Sequence, residues 1–127
     1  MTRDLPSVLI IDDSVGVCTA TAMMLEDECE TIEICHTYQE GLPLALSRNF
    51  RVILIDVLLG MDSGIKLAQE LVDRKTASKL ILTSGLDDLS NELSSYPDLA
   101  KISVLLKPFS RQDLLACIRK LIDEAAA

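Results

Sequence analysis

Four short apolar runs punctuate the chain at near-regular intervals: Val8-Leu9-Ile10-Ile11, Val52-Ile53-Leu54-Ile55, Leu80-Ile81-Leu82 and Val104-Leu105-Leu106. Each has the length of a β-strand. The first three are continuous rather than alternating, which predicts parallel strands buried on both faces and places them at the centre of a sheet. Thr31-Ile32-Glu33-Ile34 alternates polar and apolar residues, as a strand with one wetter face does, and is assigned to an edge.

Helical spacing fills the intervals. Ser14 is positioned to cap a first helix with a stripe at Val17, Ala20, Met24 and Leu25, weakened by Gly16. A second helix is expected around Gly41–Asn49, with Pro43 in its first turn. Ile65, Ala68, Leu71 and Val72 form a third stripe. The segment Asp87–Lys101 spaces Leu86, Leu89, Leu93 and Tyr96 as a helix would, but its Ser, Asn, Asp and Pro97 give it poor propensity. Ser110 with Asp113 resembles a capping box ahead of Leu114, Cys117, Ile118, Leu121 and Ile122, the strongest amphipathic pattern in the chain. The closing Ala125-Ala126-Ala127 fits either a frayed helix end or the stump of a longer protein.

Five strands alternating with five helices predict a doubly wound α/β sandwich, a five-stranded parallel sheet in the flavodoxin-like order 2-1-3-4-5. In that order strands one and three are neighbours, and ligands bind outside their carboxyl ends. Asp12-Asp13 ends strand one and Asp56 ends strand three, so three carboxylates converge. Two unit charges about 5 Å apart at an effective dielectric near 20 repel by roughly 3 kcal/mol. Such a cluster needs a cation, or one member must hold a proton; a hard divalent ion such as Mg²⁺ suits oxygen ligands of this kind. Strand five ends in Lys107-Pro108 and strand four in Thr83-Ser84-Gly85, adding an ammonium and two hydroxyls to the same rim. Acids, metal, ammonium and hydroxyl together make a place to receive a phosphoryl group.

Composition narrows the field. The 127 residues, 49% of them hydrophobic, fit one domain able to bury a core unaided. Twenty acidic against twelve basic side chains leave a charge of -8, the wrong sign for direct nucleic-acid binding. Cys18, Cys29, Cys35 and Cys117 lie far apart, without a C-x-x-C pair, in a chain with neither a signal segment nor a run of 18 apolar residues. They read as reduced, core or semi-buried thiols of a cytoplasmic protein that does not engage a membrane. His36, the single histidine, reads as a partly exposed strand-end residue.

Asp12-Asp13 after an aliphatic strand, Asp56 with Gly64 eight positions on, Ser84-Gly85 and Lys107-Pro108-Phe109 form an ordered set. From about Val8 to Ile122 the chain resembles the receiver (CheY-like) domain of two-component response regulators, so 1–127 is expected to be a single receiver with its core at about 8–122. The resemblance implies Asp56 as phosphoacceptor. It implies Asp13, Asp56 and the backbone carbonyl of Leu58 as ligands of Mg²⁺ or Mn²⁺, with Asp12 acting through water. It further implies Lys107 as the lysine that pairs with the phosphoryl group and Ser84 as the switch hydroxyl. Thr83 is the alternative; Ser84 is preferred because the family has a small residue next, which Gly85 supplies.

A histidine kinase or histidine phosphotransfer protein is the implied donor. A downstream effector protein or domain is the implied reader, and a homodimer is compatible with the resemblance. Such a protein catalyses its own modification, but its output is binding, so it is a signalling switch rather than an enzyme.

The chain departs from the family pattern at two positions. Gly60 replaces the usual proline four residues after the phosphoacceptor and is expected to loosen that loop, and Val104 stands where the family often carries a switching aromatic. Leu58 and Leu86 occupy the positions that flank the route of hydrolytic water in the family, which predicts slow self-dephosphorylation. Three rivals stand beside this reading: a pseudo-receiver that binds partners without phosphorylation, an aspartate-nucleophile phosphohydrolase and a flavodoxin. The phosphohydrolase lacks its second acid, because Leu58 occupies that position. The flavodoxin lacks both a Ser/Thr-rich phosphate loop after strand one and a Trp to stack on a flavin.

Overall fold

The computed structural model describes residues 5–126. In chain order the elements are β1 (Ser7–Ile11), α1 (Val15–Leu25), β2 (Thr31–Cys35), α2 (Tyr38–Ser47) and β3 (Val52–Asp56). There follow two-residue strands β4 (Leu58–Leu59) and β5 (Asp62–Ser63), then α3 (Gly64–Asp73), β6 (Lys79–Ser84), a single turn α4 (Ser90–Leu93), β7 (Ser103–Leu106) and α5 (Arg111–Ala126). A 3-10 turn at Pro97–Leu99 precedes β7. The main sheet has the order β2-β1-β3-β6-β7, parallel throughout. Counting its own five strands, that is the expected 2-1-3-4-5. Among the described residues no helix is long and apolar enough to cross a membrane.

Burial on both faces explains the unbroken apolar runs. Leu9, Ile11, Ile53, Ile55 and Leu82 pack with Ala45 of α2 and Ile65, Ala68 and Leu71 of α3. The alternate residues Val8, Ile10, Val52, Leu54 and Ile81 pack with Cys18 and Leu25 of α1 and Leu114, Leu115 and Ile118 of α5. Each fully buried aliphatic side chain is worth about 1.5–3 kcal/mol. The two edges differ. At β2 Glu33 pairs with Arg48 at 2.7 Å, whereas β7 carries no charged residue and leaves Val104 and Leu106 exposed. The loop after α1 is tied to α5 by Glu28, which meets Arg111 at 3.2 Å and Arg119 at 3.4 Å.

Two local expectations are corrected. In α1 the buried face is Cys18, Thr21 and Leu25, while Ala20 is exposed and Val17 and Met24 are half-buried. The sequence VGVCTATAMML has no charged side to contrast with an apolar one, so a stripe cannot be located from it. Helix α2 begins at Tyr38, not Gly41. Thr37 caps it, accepting the Glu40 N–H at 3.1 Å while its hydroxyl donates to Glu40 Oε1 at 3.2 Å. Pro43 therefore lies inside the helix; it and Gln39, whose carbonyl loses its N–H partner, are both exposed to water.

The loop that carries Gly60 folds into the β4–β5 hairpin, in which Gly60 takes φ +64 at the first position of a two-residue turn. The remaining expectations of local structure hold at the termini of α1 and α5. Ser14 Oγ accepts the Val17 N–H, and Ser110 and Asp113 form a reciprocal cap. The proline- and serine-rich segment after β6 yields only α4 and the 3-10 turn. Ala127 lies outside the described residues.

Gly64 opens α3 with its backbone pressed against β3: a Cβ there would lie 1.9 Å from the Asp56 carbonyl oxygen. Gly64→Ala is therefore expected to cost about 2–4 kcal/mol in urea unfolding, since either α3 or the end of β3 must move. Gly16→Ala, whose Cβ meets only Ser14 Oγ at 4.0 Å, is expected to stabilise α1 by up to about 1 kcal/mol in the same assay.

Candidate phosphoryl-acceptor site

Strand register carries the predicted residues to one edge of the sheet. Asp12 follows the last residue of β1, Asp56 closes β3 opposite Thr83, and Ser84 closes β6 opposite Leu106, the residue before Lys107. Carboxylate oxygens of Asp12, Asp13 and Asp56 lie within 4.8 Å of one another. Asp12 and Asp56 are buried, at 3% and 8% exposure, while Asp13 is exposed. Lys107 Nζ sits between the buried pair, 2.8 Å from Asp12 Oδ2 and 3.2 Å from Asp56 Oδ2.

Backbone N–H groups hold the acids in place. Ser14 N–H donates to Asp12 Oδ1 at 2.9 Å, Leu58 N–H to Asp56 Oδ1 at 3.3 Å, and Gly60 N–H to Asp13 Oδ2 at 3.0 Å. Ser84 Oγ accepts the Leu86 N–H at 2.9 Å, and its carbonyl accepts the Lys107 N–H at 2.7 Å. The Lys107–Pro108 peptide is cis. Thr83, buried and directly opposite Asp56, is as near in register as Ser84. Leu58 and Leu86 flank the site with 67% and 50% of their surfaces exposed.

Charge follows the geometry. Burial pushes the Asp56 carboxyl above the usual carboxylate range, Asp12 adds to that rise, and Lys107 opposes it. For Lys107 burial favours the neutral amine, but its bond to Asp12 and the charges of both carboxylates outweigh burial and raise its pKa. The ammonium is therefore secure while the acids remain crowded. Three hard oxygen donors with excess negative charge fit a divalent cation of the Mg²⁺ type.

Sequence reasoning missed two of these supports. The Gly60 N–H to Asp13 arises from a turn conformation that only the folded loop reveals. His36 Nδ1 reaches the Asp12 carbonyl oxygen at 2.9 Å, and the β1–β2 register, in which Ile11 faces Cys35, would have placed the next pair side by side. The four cysteines are free. Burial pushes the thiols up, to about 11 for Cys18 and Cys29 and about 12 for Cys35, with Asp12, Glu28 and Glu40 respectively adding to it. Thiols so raised carry little thiolate at neutral pH and are poor redox sensors.

A raised carboxyl makes a signed prediction. The charged form of Asp56 is disfavoured in the fold, so above its folded pKa it opposes folding, and below the unfolded value of 3.8 it is protonated in both states and neutral in effect. Asp56→Asn is expected to raise the urea midpoint at pH 7 without divalent cations, and this advantage should vanish as the pH falls toward the unfolded carboxyl value.

Residues 8–119 match the family model of the response regulator receiver domain. Among curated relatives, the chain is 28% identical over 112 residues to the uncharacterized transcriptional regulatory protein YkoG of Bacillus subtilis, covering 88% of this chain and 49% of that protein. It is 26% identical over 115 residues to the response regulator ArlR of Staphylococcus saprophyticus, covering 91% of this chain and 51% of that protein. The chain thus spans about half the length of the curated relatives it matches. Among solved structures, a CheY-like response regulator receiver domain protein from Methanospirillum hungatei superposes with a TM-score of 0.84 at 30% identity, over 95% of this chain and 96% of that one. The receiver domain of Francisella response regulator 1452 gives 0.81 at 25% identity, over 94% and 98%. Fold, register and sequence match agree, and the chain belongs to the response regulator receiver domain family.

Proposed function

We propose that this chain works as one receiver unit, with its core at about 8–122, in which Asp56 accepts a phosphoryl group and the modified form is read by a partner. The observation that carries the proposal is the bridge of Lys107 Nζ between two buried carboxylates, with a third within 4.8 Å. One Asp56 carboxylate oxygen attacks phosphorus and the phosphorus–nitrogen bond of a phosphohistidine breaks. The electron pair passes to the imidazole nitrogen, and the product is an acyl phosphate. Asp13, Asp56 and the Leu58 carbonyl would hold Mg²⁺ or Mn²⁺, with Asp12 acting through water, and the ion would neutralise charge on the transferring group. Lys107, already poised on Asp56, pairs with the incoming phosphoryl oxygens; Ser84, with Thr83 as the alternative, supplies the hydroxyl that bonds the product.

The donor is a histidine kinase or a histidine phosphotransfer protein of the cytoplasm, and the reader is an effector protein or domain. Phosphorylation acts by shifting a conformational equilibrium. Val104, 41% exposed on β7, replaces an aromatic side chain at this face, so the readout involves no ring rotation at that position.

Incubation with Mg²⁺ and acetyl phosphate is expected to add the mass of one phosphoryl group, which Asp56→Asn abolishes; an equal gain in that variant would overturn the assignment. Ser84→Ala and Thr83→Ala compared in the same assay identify the hydroxyl by which one slows labelling. Leu58 and Leu86 shield the acyl phosphate from water. Combining Leu58→Asn with Leu86→Lys is expected to shorten its lifetime about tenfold, the worth of one hydrogen bond to the attacking water. A lifetime equal to that of the native chain would refute the shielding.

A further inference from the structure

The backbone of the Asp12-Asp13 turn is clamped by groups outside the carboxylate cluster. The Asp12 carbonyl oxygen, which belongs to the peptide joining the two aspartates, accepts from His36 Nδ1 at 2.9 Å and from the Cys18 thiol at 3.3 Å. A carbonyl only accepts, so Nδ1 carries the proton in this contact. On the other side of the residue the Asp12 N–H donates to the Cys35 carbonyl at 3.2 Å. His36 is half-buried and is the chain's single histidine. Its place one residue beyond β2 follows from the register, and its backbone N–H is held in turn by Glu40 Oε1 at 3.3 Å.

Asp13 depends on this clamp more than its neighbours do. Asp12 and Asp56 are buried and share Lys107, whereas Asp13 is exposed, has its carboxylate held by the Gly60 N–H at 3.0 Å, and reaches the cluster from a turn whose direction the 12–13 peptide sets. Rotation of that peptide would swing Asp13 away from the other two carboxylates. Of the two donors to that carbonyl the Cys18 thiol is the weaker, so the imidazole N–H is the stronger restraint on the peptide. We infer that His36 is a positioning residue for divalent-cation binding: it fixes the Asp12 carbonyl and thereby the reach of Asp13 toward Asp12 and Asp56.

The inference rests on reading the acid cluster as a divalent-cation site, and its test separates the two. Mn²⁺ binding is followed by the electron paramagnetic resonance signal of the free ion, for the native chain, His36→Leu, His36→Asn and Cys18→Ala, with urea unfolding in chelator as a control on folding. Partners that orient a metal ligand commonly govern affinity by 10–100-fold, so His36→Leu is expected to weaken Mn²⁺ binding about tenfold or more. An Asn amide nitrogen occupies nearly the position of Nδ1, so His36→Asn is expected to stay within about threefold of native, and Cys18→Ala to lose about two- to threefold. Equal affinity for the native chain and His36→Leu would overturn the role of His36 alone, as would an Asn variant no better than Leu. Failure of the native chain to bind Mn²⁺ would overturn the cation site, and the positioning role with it.

Discussion

The ammonium of Lys107 is what allows two carboxylates to lie buried side by side. Without a positive charge between them, Asp12 and Asp56 would repel by several kcal/mol in a partly desolvated setting. With Nζ at 2.8 and 3.2 Å from them, the pair persists, yet one ammonium does not balance three acids. The pocket is left electrostatically unsatisfied toward anything that brings further positive charge or takes up negative charge by bonding. Its fold stability and its chemistry are therefore linked through the same few atoms.

The architecture makes this arrangement reachable from residues far apart in sequence. Parallel strands deliver their carboxyl ends to one side, and the crossover connections place β1 beside β3. The acids are then trimmed by short-range bonds: Ser14 N–H on Asp12, Leu58 N–H on Asp56, Gly60 N–H on Asp13. Among the described residues, no buried side-chain nitrogen or oxygen lacks a partner. The frustration is thus one of charge and not of hydrogen bonding.

Much of this was legible in the amino-acid order. Continuous runs such as Val52–Ile55 have the length and aliphatic content of strands covered on both sides, and the acids that end them follow at once. The β2 alternation betrayed an edge strand, and Ser110 with Asp113 marked the last helix. What escaped had no periodic signature. Helix α1 is apolar nearly all round, so the buried side of Cys18, Thr21 and Leu25 is chosen by its docking against α5 and not by pattern. The start of α2 lay in the pairing of Thr37 with Glu40, overshadowed by the apparent veto of Pro43. The hairpin after Asp56 turns on a single backbone angle at Gly60, and the clamp of His36 on Asp12 joins the residues just beyond β1 and β2, which only a register discloses.

The unequal borders of the sheet bear on how copies of the molecule behave in crowded solution. At β2 an ion pair discourages a foreign strand from docking, but β7 offers four uncharged residues with two aliphatic side chains uncovered. The gatekeepers there are Lys101 and Lys107, flanking the strand on either side, and the second of these is occupied within the pocket. Colloidal protection of that border falls mainly to the net charge of -8, a long-range repulsion that salt shortens to about 8 Å at physiological strength.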